Sequence, residues 1–444
     1  MFGPSTESML RGFAIAGVLL GGSLHVALAD NPIIQTLYST DPAPVVWNNT
    51  VWLFTGHDET GARNYDMRDW RLYSSTDMVN WRDWGSPMSL KTFSWARADA
   101  WAAQVIERDG KFYYYATVTK NSGGYAVAVG VSDTITGPYK DALGKELLAN
   151  GGIDPTVFID DQDGQAYMYW GHNSPAYYVK LNRNMVSYTG SLAGQTLQNF
   201  VEGPWLHKRN TTWYLTYSSM GSGNEDIKYA TSTRPTGPWT FKGQIMASQG
   251  RSFTNHAGII DYKGGSYFFY HNGALPNGGT YARSVCVEKF SYNADGSIPK
   301  LVMTDAGAPQ IEPLDPYVQV EAETIAFSSG LTTAAKSGGG GMYVTSIGND
   351  DYIKVKGVDF GTKGAASVDL QVAAAAGGGG KIELRVGSQT GTVIATCNVE
   401  ATGGAQTWKT VTCPVTGATG RQDLFFKFSG SNYNFDWWQF KQAA

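Results

Sequence analysis

Charge is scarce in this chain. Only 16% of its 444 residues are Asp, Glu, Lys or Arg, and neither sign dominates, with 34 basic residues against 38 acidic ones. No basic block exists to neutralise a row of phosphates or an anionic lipid surface, so nucleic acid and membrane drop out as partners. Long apolar runs are missing after residue 29, which excludes a later membrane-spanning helix. A serine nucleophile elbow and an HExxH zinc helix are absent too, which removes those routes to hydrolysis. Cysteine is limited to three residues. Cys397 and Cys413 flank a Gly/Thr-rich stretch and are placed to pair, which suits an oxidising compartment, while Cys286 in the apolar SVCVEKF reads as a buried thiol.

What the chain has in quantity is aromatic residues and glycine: 14 Trp, 25 Tyr, 19 Phe and 54 Gly. That balance suits short β-strands joined by tight turns, and exposed rings suit the C–H faces of neutral sugars. The first residues, MLRGFAIAGVLLGGSLHVALAD, place Arg11 before an apolar run that ends in Ala27-Leu28-Ala29. This is the pattern of a secretory signal cut before Asp30, so residues 1–29 are expected to be removed and the protein to be extracellular. Two N-x-T sequons, at Asn48 and Asn210, fall where polar hairpin tips are expected, positions that tolerate a glycan.

A hidden period organises residues 30–312. Five segments repeat one pattern of polar head, short apolar strand, Gly/Asn/Asp turn and aromatic strand, with heads at Asp41, Asp99, Asp154, Glu202 and His256, between 48 and 58 residues apart. A repeat near fifty residues built only of strands points to a β-propeller, one blade per unit. The innermost strand of each blade lines the axis, so the five heads are expected at one end of the channel. A single Asp-Pro more often starts a turn than a site; four acids and a histidine in register are another matter. Carboxylates meeting among aromatics match glycosidic bond cleavage, which needs one protonated acid and one ionised base or nucleophile.

The motifs TDPAP (40–44), GGIDPTVFID (151–160) and VEGPW (201–205) resemble the three acidic motifs of glycoside hydrolase family 43, five-bladed propellers, over about residues 31–312. The resemblance implies that Asp41 is the general base activating water, that Glu202 is the general acid, and that Asp154 tunes and orients Glu202, with inversion at the anomeric carbon. It also implies that His256 lies near the axis as a substrate neighbour or as a cation holder through water, and that Arg283 reaches back into the pocket. Trp101, Trp170 and Phe253 are the rings expected at the sugar, with inter-blade packing as the competing role, and Asp99 is a candidate hydrogen-bonding partner. The stretches TGHDE, MRDWRLYSSTDMVNW and KTFSWARADAWAAQV look most like arabinofuranosidase members. The expected function is therefore release of α-L-arabinofuranosyl side groups from arabinoxylan. A β-1,4-xylosidase and, in a different class, a non-catalytic carbohydrate-binding protein are the alternatives.

Prolines at 309, 313 and 316 mark a boundary, and the alternating short strands of residues 313–444 indicate a β-sandwich. VQVEAET, TGGAQTWKTVT and SNYNFDWWQF resemble a family 6 carbohydrate-binding module. By that likeness Glu321, Glu323 and Asp436 hold a structural calcium, and Trp408 with Asn434 contacts sugar. The second ring expected of such a module falls at Ser346, with Tyr343 as its substitute. No cofactor is expected for the chemistry, and a monomer is the expected state.

Overall fold

The computed structural model describes residues 30–148, 152–173, 175–221 and 223–444, so the expected signal segment lies outside the described residues. The architecture is all β: a single 3-10 turn, Leu90–Thr92, is the one helical element among the described residues. Five antiparallel sheets follow one another along the chain. Their first strands in the ring are Ser39–Trp47, Ala103–Arg108, Thr156–Ile159, Phe200–Arg209 and Gly258–Tyr262. Each pairs with the aromatic strand that the repeat supplies, for example Thr156↔Tyr169 and Gly258↔Phe269. The five first strands touch in cyclic order, including the first against the fifth, which makes the expected five-bladed propeller.

Local chemistry explains the hairpins. Asn48 and Asn49, or Asp109 and Gly110, sit at the tips with positive φ, which Asn, Asp and Gly tolerate best. Both sequon residues, Asn48 and Asn210, are exposed at such tips. The aromatic strands bury their rings between blades, where Phe54, Tyr114, Tyr214 and Phe268 belong to one continuous core. The fifth blade has only three strands. The start of the described chain finishes it: Ile33 donates its N–H to Val285 O (2.8 Å), and the Asn31 amide accepts from Val287 N (3.0 Å). The ring is thus closed by chain ends brought together, not by local sequence.

Ile311 donates its N–H to Asp77 O of the propeller, and three residues later Leu314 already pairs with Gly357 and Asp359. Beyond it a nine-stranded sheet curls around its own core as a sandwich. Its two longest strands, Ala365–Val386 and Arg421–Gln442, pair along their length. Cys397 and Cys413 are bonded, joining the strands Thr392–Val399 and Lys409–Pro414 that flank different parts of Ala365–Val386. Cys286 is a buried free thiol.

The sandwich does not hang on a loose tether. Thr324–Ile325 adds to the first blade by pairing with Trp81 and Arg82, so one sheet runs across both domains. Around it, Thr333 donates to Asp83 (2.6 Å), Asn80 bonds both backbone groups of Lys356, and Asp30 lies between Lys354 and Lys356 (3.0 and 2.8 Å).

Candidate active site

Three of the five heads share an unusual backbone. Asp41, Asp99 and Asp154 have φ of 49°, 66° and 60°, the left-handed region that few residues other than glycine enter and that Asp tolerates better than most. In the fourth blade that conformation belongs to Gly203 (φ 58°), which precedes Pro204 as Asp41 and Asp154 precede Pro42 and Pro155. Glu202 therefore sits one residue earlier than its counterparts. Register shifts flank it on both sides, between Phe200 and Glu202 and between Glu202 and Trp205, and such bulges re-aim a side chain at the end of a strand.

The result is one pocket of about 310 Å³ at the end of the channel, lined by Asp41, Asp154, Glu202, Glu225, His256 and Arg283. Asp41 is held from several sides. Its N–H donates to His271 Nδ1 (3.2 Å), while Oδ1 accepts from Thr40 Oγ1 (3.0 Å) and from Arg283 Nη1 (3.4 Å). Because Nδ1 accepts, the His271 proton is on Nε2, which faces Thr254 O at 2.9 Å. Burial pushes the His271 imidazole down to about 3, so it is neutral. Burial also works to raise the Asp41 carboxyl, but the Arg283 guanidinium, joined by His271 and His256 at acid pH where they take up a proton, outweighs it and holds Asp41 below the usual carboxylate range. Arg283 is in turn clamped by Asp58, with Nε at 2.9 Å and Nη2 at 2.7 Å from its two oxygens.

Asp154 is in the opposite state. Burial first, then the charges of Glu202 and Asp41, drive its carboxyl well above the usual range, against the Gly203 N–H that donates to its Oδ2 at 3.0 Å. That bond ties Asp154 to the residue beside Glu202. Glu202 itself meets His172, Nδ1 to Oε2 at 2.9 Å, and the contact raises the half-exposed imidazole above its ordinary value. One pocket thus holds an ionised carboxylate, Asp41, and a proton-retaining one, Asp154, with Glu202 between the Asp154–Gly203 bond and His172.

The other expected residues divide. Trp101 lines the pocket with its indole N–H on Tyr65 O (2.9 Å), and Phe253 stands exposed at the rim. His256 lines it as a buried imidazole that burial holds below its usual value. Trp170 is a correction. It is fully buried in the core between blades, stacked on Tyr177, with its ring against Gly152. A Cβ at 152 would fall 1.8 Å from that ring. Gly152→Ala is therefore expected to cost about 1–3 kcal/mol of stability in denaturant unfolding, through overpacking. Asp99 is also corrected: it is not among the lining residues, and Thr119 Oγ1 donates to its Oδ2 at 2.5 Å. The sequence reading missed Glu225, His172, Tyr65 and Tyr125, all of which line the pocket. None lies in a head, and only the burial pattern of whole blades points to them.

On the sandwich, Trp408 is half-buried, while Asn434 is buried with its amide spent on Ala405 O (2.6 Å). Tyr343 does not replace the ring missing at Ser346. Its ring meets Trp408 nearly edge-on, centroids 5.4 Å apart at 69°, which is direct contact with no slot for a sugar. Glu323 is buried with neither oxygen hydrogen-bonded, and burial drives its carboxyl well above the usual range. Asp436, also raised by burial, has Lys336 Nζ 2.6 Å from Oδ1, and Arg82 reaches within 3.6 Å of Glu323 and 3.8 Å of Glu321. The Glu323 oxygens, buried without a hydrogen-bond donor, fit a hard cation, whereas Asp436 already has the Lys336 ammonium against it. Among the described residues the one group of three His, Cys or acidic residues whose ligand atoms lie within 4.8 Å of one another is His57, Glu59 and Asp69; neither His256 nor the trio Glu321, Glu323 and Asp436 forms one.

Comparison with known proteins agrees with this geometry. Residues 29–298 match the model of glycosyl hydrolases family 43, and residues 321–442 match carbohydrate binding module (family 6). An arabinoxylan arabinofuranohydrolase of Bacillus subtilis is 34% identical, over 93% of this chain and 92% of its own. A xylosidase/arabinosidase of Bacteroides ovatus is 29% identical, over 59% of this chain and 94% of its own. The crystal structure of a family 43 arabinoxylan arabinofuranohydrolase from Bacillus subtilis, in complex with cellotetraose, superposes with a TM-score of 0.82 at 33% identity, covering 94% of this chain and 99% of that one. With its propeller, its convergent acids and these matches, the chain belongs to glycosyl hydrolases family 43.

Proposed function

We propose that this protein is a secreted glycosidase that releases α-L-arabinofuranosyl groups from arabinoxylan with inversion. The observation that carries the reading is the meeting of Asp41, Asp154 and Glu202 in one aromatic-walled pocket, with Asp41 kept ionised by Arg283. In this reading Asp41 takes a proton from water as the water attacks the anomeric carbon. Glu202 gives its proton to the departing oxygen, and Asp154, bonded through Gly203, orients Glu202. The relative named as an arabinoxylan arabinofuranohydrolase, matched over almost the whole chain, supports the choice of sugar. Glu321, Glu323 and Asp436 would hold a calcium ion that steadies the sandwich, and Trp408 offers one ring face to a polysaccharide. Release of terminal xylose is the second reading, favoured by the relative named xylosidase/arabinosidase.

NMR of arabinoxylan during digestion tests both. β-L-arabinofuranose is expected to appear before its α-anomer. Xylose appearing first would favour the second reading, and α-arabinofuranose appearing first would end the inverting assignment.

A further inference from the structure

A fourth carboxyl group in the pocket takes no part in the steps above. Glu225 opens the strand Glu225–Ser232 and is 3% exposed. Its N–H donates to Phe253 O (2.8 Å), and its Oε2 accepts the N–H of Asn255 (3.0 Å). The side chain is thus pinned against the segment 253–255, whose residues line the same pocket. Among the described residues no lysine, arginine or histidine forms an ion pair with it, and Oε1 is not enclosed as an orphaned buried atom, which leaves it for the pocket.

The surroundings decide the charge state. Glu202 faces Glu225 from its own blade, Asp41 and Asp154 face it from two others, Tyr65 presents a phenol, and Arg283 is the one cation in the set. Arg283 is already shared by Asp58, Asp41 and Thr254. Burial, reinforced by the Glu202 charge, pushes the Glu225 carboxyl up to about 9, so it carries a proton at neutral pH and is a hydrogen-bond donor. Arg283 and the indole N–H of Trp101 are already engaged, so a protonated Glu225 adds a free donor on its side of the pocket. A sugar hydroxyl both gives and accepts, and a protonated carboxyl can meet its oxygen where a carboxylate cannot.

We propose that Glu225 donates a hydrogen bond to a hydroxyl of the sugar in this pocket, a positioning residue that holds the ring between Asp41 and Glu202. The inference rests on the glycosidase reading of the site. Its test is the kcat/KM profile against pH for aryl α-L-arabinofuranoside hydrolysis by three variants of the full chain. Glu225→Gln keeps a donor and is expected to lose less than about tenfold near neutral pH, and the alkaline fall expected of wild type near pH 9 is expected to move upward in it. Glu225→Met keeps the bulk without the donor and is expected to lose about 30- to 100-fold, mostly in KM. Wild-type stability should also decline from the ordinary carboxylate range up to about pH 9, since the unfolded chain releases this proton early and the native one late. Glu225→Gln removes that decline. Equal losses in the Gln and Met variants, or an alkaline fall unmoved in Glu225→Gln, overturn the proposal. If Glu225→Met does not fold, the pH profile of Glu225→Gln decides alone. Glu202→Gln assayed on arabinoxylan, whose leaving oxygen needs the proton, separates the two levels: full activity there refutes the site, not Glu225.

Discussion

Glu202→Gln lowers arabinose release from arabinoxylan by about 10²–10⁴-fold, and Asp41→Asn lowers it by as much, with unfolding temperature little changed by the first. The two losses differ in kind. Gln at 202 preserves the shape of the side chain and the approach of His172 but has no acidic proton for the leaving oxygen. An aryl arabinofuranoside with an acidic phenol leaves without that proton, so Glu202→Gln recovers much of its rate on such a substrate. Asp41→Asn does not recover, because water still has no base. Kinetics on both substrates check the assignment, and it fails if the two variants respond alike to the leaving group.

Arg283→Met is expected to cost about 3–5 kcal/mol of stability, measured by urea unfolding near neutral pH. The guanidinium clamps buried Asp58 through both oxygens and reaches Asp41 as well, so its removal strands two carboxylates away from water. The same change alters catalysis in a defined direction. Arg283 is the largest influence holding Asp41 low against burial; without it the carboxyl rises, and the acidic limb of kcat/KM moves to higher pH. The sign for stability agrees. A carboxyl whose native value is depressed stabilises the fold above its unfolded value and ceases to do so as pH falls through the native one. Arg283→Met should therefore show a smaller acid-induced loss of stability than wild type. An unmoved acidic limb would mean that Asp41 is not the base.

The blades were legible in the sequence because each carries its own signal of head, turn and aromatic strand, repeated at nearly constant spacing. Closure of the ring was not, since it joins Asn31 and Ile33 to Val285 and Val287 across the full propeller, and nothing local announces such a partner. Within the pocket, Asp41, Asp154 and Glu202 were visible because turn chemistry places the residue before or near a proline at the mouth of a blade. Glu225 and His172 stand at the far ends of second and third strands, where only assembled blades bring them inward. Trp170 was misplaced for a related reason. An aromatic at the end of an inner hairpin can face the axis or the next blade, and at 170 the neighbouring glycine opens room on the blade side. At Tyr343 composition suggested a second stacking face, but ring orientation is a tertiary property and the contact turned out perpendicular.

The strand Thr324–Ile325 covers the rim of the first blade at Trp81 and Arg82. Severing the chain after residue 312 would uncover unpaired backbone donors and acceptors there, a template on which a second copy can assemble. The propeller by itself is thus predisposed to stick to its own kind, and the sandwich acts, whatever sugar it holds, as a built-in guard against clumping.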